Sequence, residues 1–409
     1  MSTLLVEVDG ARLLQRLEAL GRCGLRSGER YRALYDDAWV EATAVVASWI
    51  EEAGLRVRRD AVGNVWGRLE GTAGGRVIVT GSHIDTVRGG GTLDGALGLV
   101  GGIEALAALR WIGVRRTVET VAFCEEEGSR FDTQFWGSRA VIGDITPEEA
   151  ERSRDGDGTT LAAAMRARDL DPARVREAAR DDIDTFVELH IEQGPFLDEE
   201  GPRLAVVTAI AGTAHLEVEV RGVPDHAGTT PMSRRRDALR GAAAMMEAIA
   251  AVARDQGDPA VATVGRISVE PSQVNVVPGV ARFSVDARHS VEAERRRLAA
   301  AIVQACERVA AERGLAVHIT PLREREVVPT DERVSAVLRD ACRAADIEPR
   351  PMPSAALQDS QIMAVRSAMG MIFVPSIGGR SHRMDEATKP EDIVLGTRAL
   401  ATALAMLAR

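Results

Sequence analysis

Hydrophobic positions recur along this chain in two spacings. Where they return every three to four residues they predict helices: Gly10–Leu25, Asp37–Ala53 (Trp39, Ala42, Val46, Trp49 and Ile50, with Gly54 as the stop), and an Ala/Leu/Gly-rich run from Gly95 to Trp111. Where they form short β-branched runs they predict buried strands: Leu55–Arg58 and Asn64–Arg68 around a turn, then Val77–Thr80, Val118–Phe123, Asp184–Leu189 and Leu204–Ile210. The stretch between Thr146 and Arg180 is charged and reads as mostly helical.

The pattern changes near Ala211. His215–Arg221 alternates apolar and polar residues, as a half-buried strand does. A helix follows over Arg235–Ala253, strands over Val261–Val269 and Ala281–Arg288, a helix over Glu292–Arg313 and a strand over Ala316–Thr320. This β-α-β-β-α-β order predicts a ferredoxin-like two-layer unit. From about Pro329 the first style returns: a helix at Asp331–Ala345, a loop at Pro351–Ser354, a helix at Ser360–Ala368, a strand at Met371–Val374 and a last helix from Pro390. The expectation is one α/β domain, residues 1–210 and 326–409, interrupted by an inserted domain at 211–325.

Composition sharpens this only in places. A length of 409 residues suits two domains. Aromatics are only 3% of the chain, so the cores must be built from Ala, Val, Leu and Ile. The formal net charge of −10 argues against a nucleic-acid partner. No apolar run reaches membrane-spanning length, and M-S-T-L-L-V-E-V-D-G lacks the layout of a signal peptide. The four cysteines, Cys23, Cys124, Cys306 and Cys342, form no C-x-x-C pair and suit reduced thiols in a cytoplasmic protein.

The candidate chemistry sits where predicted strands end. After Val77–Thr80 comes G-S-H-I-D-T-V-R-G-G-G-T-L-D-G, which offers His83, Asp85 and Asp94 around a glycine-rich bend. Alone, His83-x-Asp85 describes an ordinary polar loop. But Glu125-Glu126-Glu127 follows Val118–Phe123, His190 follows Phe186–Leu189, and His382 comes soon after Met371–Val374. Ligands gather at the carboxyl ends of strands in open α/β sheets, so these residues converge on one rim. Three adjacent glutamates beside a buried strand would repel one another without a cation. Imidazoles and carboxylates suit zinc, and a carboxylate such as Asp94 can bridge two ions holding a water between them. Asp85 is placed to accept a hydrogen bond from the second ring nitrogen of His83. The spare glutamate can take a proton from that water and pass it to a leaving nitrogen.

These residues carry a resemblance. G-S-H-I-D-T-V…L-D-G, E-E-E-G-S-R-F…F-W-G-S, E-L-H-I-E-Q-G-P, D-H-A-G-T-T-P-M-S-R-R-R-D, Q-V-N-V-V-P-G…D-A-R-H and Ser381-His382 resemble the binuclear-zinc amidases of the M20 metallopeptidase group, in its hydantoinase/carbamoylase branch. The resemblance runs from about residue 81 to 382. It implies a zinc-peptidase-like α/β catalytic domain with an inserted ferredoxin-like lid that forms a homodimer. It implies two divalent ions, zinc first and manganese or cobalt as alternatives, on His83, Asp94 (bridging), Glu127, His190 and His382. Glu126 is then the general base, with Asp85 beside it in the catalytic set. His226 stabilises the oxyanion and can reach the partner's site. Asn275 and Arg288 hold the substrate, with Arg288 on its carboxylate; Gln193 and Gln358 join them as candidate substrate residues. His215 could line the lid side of the pocket.

The implied activity is hydrolysis of an N-carbamoyl (ureido) bond on a small carboxylated substrate, most directly an N-carbamoyl-L-amino acid. Allantoate hydrolysis and an M20 aminoacylase or dipeptidase are the alternatives. One departure stands out: the family's usual S-G-A-G-H-D-A is Ser354-Ala355-Ala356-Leu357-Gln358-Asp359-Ser360 here, so Leu357-Gln358 replaces Gly-His. That change alone points to a non-catalytic, metal-stabilised binding protein, and the intact Glu126 opposes it.

Overall fold

The computed structural model describes residues 5–409; the first four residues of the expected first segment lie outside it. The chain divides into two units. One comprises the residues up to Thr208, Thr330–Met352 and Gln358–Arg409, and the other Ala209–Pro329 with Pro353–Leu357. The short return of Pro353–Leu357 to the second unit has no counterpart in the expected segments 1–210, 211–325 and 326–409.

The first unit is built on a mixed sheet. Its strands lie in the order Ala205–Ile210, Ala368–Val374, Ile183–Ile191, Val77–His83, Val118–Phe123, Val65–Leu69 and Arg56–Arg59. The middle four run parallel, and antiparallel strands flank them on both sides. Val77–His83 and Val118–Phe123 are buried at every position, as expected of strands covered on both faces. Helix Ala96–Ile112 is buried on nearly all sides and packs against Pro390–Leu407 and the Val77–His83 strand. Its glycines and alanines allow that close approach. One charge is drawn into this layer: Glu104, fully buried, is bound by Arg12 and Arg16 from helix Gly10–Arg22.

Two local expectations fail here. Arg350–Ser354 is a strand, not a loop, and it pairs with Ala205–Ile210. Proline is tolerated where a strand needs no ladder donor at that position. The helix expected over Ser360–Ala368 is only Asp359–Met363, because turns close it and the apolar run from Ala368 joins the parallel sheet.

The second unit has the expected ferredoxin-like order. Strand Val280–His289 pairs on one side with Gly212–Arg221 and on the other with Val261–Thr263 and Ile267–Glu270, and Ala316–Arg325 forms the far edge. The run expected as one strand over Val261–Val269 is therefore two pieces. The last strand extends beyond Thr320 through a bulge at Pro321/Arg323. Helices Ala238–Gln256 and Glu292–Arg313 cover one sheet face, where Leu216, Val218, Val220, Phe283 and Val285 are buried. Alternation then puts His215, Glu217, Glu219, Arg282, Ser284, Asp286 and Arg288 on the opposite face, partly exposed. Among the described residues, no helix is long and apolar enough to cross a membrane.

Candidate metal centre

Parallel strands share one carboxyl rim, and the register sets the level of each residue on it. His83 ends its strand and pairs with Phe123, whose strand also ends there. His190 lies one residue inside its strand and pairs with Phe373. Asp94 enters from the bend before helix Ala96–Ile112. Gly95 makes that bend possible: its φ is +65°, and a Cβ there would sit 2.5 Å from the His83 carbonyl oxygen. His382 comes from the loop after Ala368–Val374, with a left-handed φ of 57°.

Asp94 is the hub. Its Oδ1 lies 3.4 Å from His83 Nε2 and 3.2 Å from His190 Nε2, and its Oδ2 lies 3.1 Å from His382 Nε2. His382 Nε2 is also 3.5 Å from Glu127 Oε1. The other ring nitrogens are committed elsewhere: His83 Nδ1 is 3.1 Å from the Asp85 carbonyl oxygen and His190 Nδ1 is 2.9 Å from that of Ile191. A carbonyl only accepts, so each Nδ1 carries a proton and each Nε2 is turned to the centre as a ligand nitrogen. The expected Asp85 contact is present, with Oδ1 3.3 Å from His83 Nδ1. Asp85 does more than was expected of it, because its carboxylate also accepts the backbone N–H groups of Glu126 (3.0 Å) and Glu127 (3.2 Å). It thus ties His83 to the glutamate loop.

The donor atoms of His83, Asp94 and His190 lie within 4.8 Å of one another, as do those of Asp94, Glu127 and His382, and those of His83, Glu126 and Glu127. Asp94 belongs to two of these sets. Nitrogen and carboxylate donors of this kind fit zinc, manganese or cobalt. The imidazoles and carboxylates of this rim shift one another strongly. Burial pulls the His83 imidazole down, but hydrogen bonds to Asp85 and Asp94 hold it well above its ordinary value. The hydrogen bond to Asp94 lifts His382 to about 9. Burial, reinforced by the charge of Glu127, pushes Glu126 well above the carboxylate range; burial and then Asp94 push Glu127 up to about 7.

The third glutamate is used differently. Glu125 accepts the backbone N–H groups of Gly128 and Trp136, so it shapes the loop. Gln193 donates from Nε2 to Asp94 Oδ2 at 3.0 Å, and Gln358 donates to Gln193 Oε1 at 3.0 Å. Gln358 is thus buried against Gln193 and linked through it to Asp94. Several residues escaped the sequence reading. Glu386 Oε1 accepts the N–H groups of Leu93 and Asp94 at 2.8 and 3.1 Å, and Ser381 Oγ bridges Asp94 Oδ2 and Glu386 Oε2. Glu188 accepts from Ser82 Oγ, Ser360 Oγ and the Ser360 N–H, and Asp359 from Ser138 Oγ. Of these, only Glu188 carried a sequence signal, as an acid set inside the apolar run Phe186–Leu189.

The second unit holds the other candidates. His226 is exposed, and its Nδ1 accepts the N–H groups of Gly228 and Thr229 at 3.0 and 3.1 Å. That fixes the proton on Nε2, which remains a donor. The Asn275 carbonyl accepts the Ala227 N–H, which ties the two loops together. Arg288 lies on the sheet, bound to Asp286.

The fold and site thus define a two-unit α/β protein whose first unit carries a rim of candidate cation ligands. Residues 79–406 match the family described as Peptidase family M20/M25/M40. The chain is 39% identical over 399 residues to an N-carbamoyl-L-amino acid amidohydrolase of Geobacillus stearothermophilus, covering 96% of this chain and 97% of that protein. It is 37% identical over 388 residues to an allantoate amidohydrolase of Escherichia coli (strain K12), covering 93% of this chain and 94% of that one. A solved amidase of the hydantoinase/carbamoylase family from Burkholderia multivorans superposes with a TM-score of 0.91 at 32% identity, over 98% of both chains. This chain belongs to the M20 family, in its hydantoinase/carbamoylase branch, and is a hydrolase of C–N bonds other than peptide bonds.

Proposed function

We propose that this enzyme hydrolyses an N-carbamoyl-L-amino acid, with two divalent ions per chain and Glu126 as general base. The observation that carries the reading is Asp94, whose two oxygens face different histidines. His83, Asp94 and His190 would hold one ion, and Asp94, Glu127 and His382 the other, zinc being the first choice. Such a pair would supply a water of lowered pKa and electrostatic stabilisation of the bond under attack. Glu126 accepts the water proton on its carboxylate and returns it to the departing nitrogen. Asp85 keeps His83 and the Glu126 backbone in place. Gln193 meets the ureido group, and Gln358 fixes the Gln193 amide. Arg288 takes the substrate carboxylate, for which a planar guanidinium is suited. Allantoate is the second reading, favoured by the likeness to the Escherichia coli enzyme.

Ammonia release from N-carbamoyl-L-amino acids, allantoate and N-acyl-amino acids, with and without a chelator, tests this. The expected result is release from the carbamoyl compounds, lost on chelation and restored by zinc, manganese or cobalt. Full activity in metal-free protein would refute the mechanism, and activity on allantoate alone would replace the substrate.

We also propose a homodimer through the second unit, in which His226 and Asn275 serve the partner's centre. The support is their position. His226 pairs with Val276, close to where strand Val280–His289 begins, and Arg288 stands eight residues further along it. At about 3.4 Å per residue that is roughly 27 Å, more than one such substrate spans. Inactive Glu126→Gln and inactive His226→Ala proteins should regain activity once their subunits exchange, because each mixed dimer then has one intact site. Confirmed exchange without recovery would place His226 in its own chain's site or in none.

A further inference from the structure

His215 and Asp286 stand directly opposite each other on neighbouring strands, and Arg288 follows Asp286 on the same sheet face. Arg288 donates from Nε to Asp286 Oδ1 at 3.0 Å and from Nη2 to Oδ2 at 2.8 Å, while Nη1 donates to the Ala355 carbonyl at 3.1 Å. His215 Nε2 lies 3.4 Å from Asp286 Oδ2. Burial would raise the Asp286 carboxyl, but His215 and Arg288 hold it well below the usual carboxylate range, so it stays ionised. A cavity of about 730 Å³ lies over this cluster, with Val261, Leu322 and Ala356 among its apolar walls.

A guanidinium has five N–H groups. These contacts use three of them and leave one on Nη1 and one on Nη2, a pair that the two oxygens of a planar carboxylate can span. The side-chain freedom that an arginine ordinarily loses on binding is here already lost in the free protein. Asp286 therefore does not compete with a ligand for Arg288. It occupies the Nε/Nη2 edge of a guanidinium that lines the cavity.

We propose that Asp286, backed by His215, is a positioning residue that presents Arg288 as a preformed fork to the substrate carboxylate, and that the apolar wall beside it selects an aliphatic amino-acid side chain. The proposal rests on the reading of Arg288 as the carboxylate grip. It adds the groups that aim that grip and the class of side chain it accompanies.

The test compares N-carbamoyl-L-leucine with N-carbamoyl-L-leucinamide, which lacks the carboxylate, in the metal-loaded full chain. Asp286→Asn keeps the shape but cannot take both arginine hydrogens as a carboxylate does. It should raise KM for the acid ~10-fold or more with little change in kcat, and leave KM for the amide within ~3-fold. Asp286→Glu should recover part of the loss, and His215→Ala should shift KM for the acid in the same direction by less. If Asp286→Asn affects acid and amide alike, or neither, the positioning role is wrong, and thermal melting shows whether a general loss of structure is the cause. Arg288→Ala separates the layers: if it leaves the preference for acid over amide intact, the underlying reading of Arg288 falls, whereas if it abolishes the preference and Asp286→Asn does not, only the present proposal falls. Equal turnover of carbamoyl-glycine and carbamoyl-leucine by the wild type would overturn the apolar selection.

Discussion

Glu126→Gln should lower kcat by at least ~100-fold while the protein keeps its metal, because a positioned acid–base group contributes on that scale. The substitution is close to isosteric, and the local frame does not depend on the Glu126 charge. The Glu126 backbone N–H is held by Asp85, and its carbonyl accepts the Phe135 N–H. Little in KM should move, since the lost interaction belongs to the transition state. Glu127→Gln should behave differently. Glu127 faces His382 and forms a donor set with it and Asp94, so its loss should appear first as lowered metal occupancy. Near wild-type turnover in Glu126→Gln would assign the base elsewhere.

Asp94→Asn should have a still broader effect. An amide has one acceptor oxygen, whereas Asp94 meets His83 and His190 through Oδ1 and His382 through Oδ2. Changes even to groups that only support a metal ligand commonly cost 10–100-fold in affinity, so losing the shared carboxylate should cost more than ~100-fold. Elemental analysis after dialysis should find both ions depleted and turnover abolished, with the circular dichroism spectrum unchanged. A variant that retains two ions would show that Asp94 is not shared between them.

Much of this centre was legible because it depends on local pattern. His83, Glu126, Glu127 and His190 lie at or just past buried apolar runs, and parallel strands bring such ends together. The pairing of Asp286 with Arg288 on one face also follows from strand alternation. What was hidden depends on distant contacts. Glu386 reaches the backbone of Leu93 and Asp94 across 293 and 292 residues of sequence, and nothing near Glu386 signals it. Glu188 and Asp359 are held by serines from remote segments. The Arg350–Ser354 strand was concealed by its own prolines. Gln358 was read from a departure in a motif, but its burial against Gln193 emerges only once the strands are assembled. The separation of His226 from Arg288 was implicit in the length of one strand, though only the pairing of His226 with Val276 fixes it.

The central claim, two ions sharing Asp94, is tested most directly by titrating metal-stripped protein with zinc and following ammonia release from an N-carbamoyl-L-amino acid. The prediction is that activity rises until two equivalents per chain are bound, and that Asp94→Asn shows no such end point. Full activity at a single equivalent, or activity before any metal is added, would contradict it.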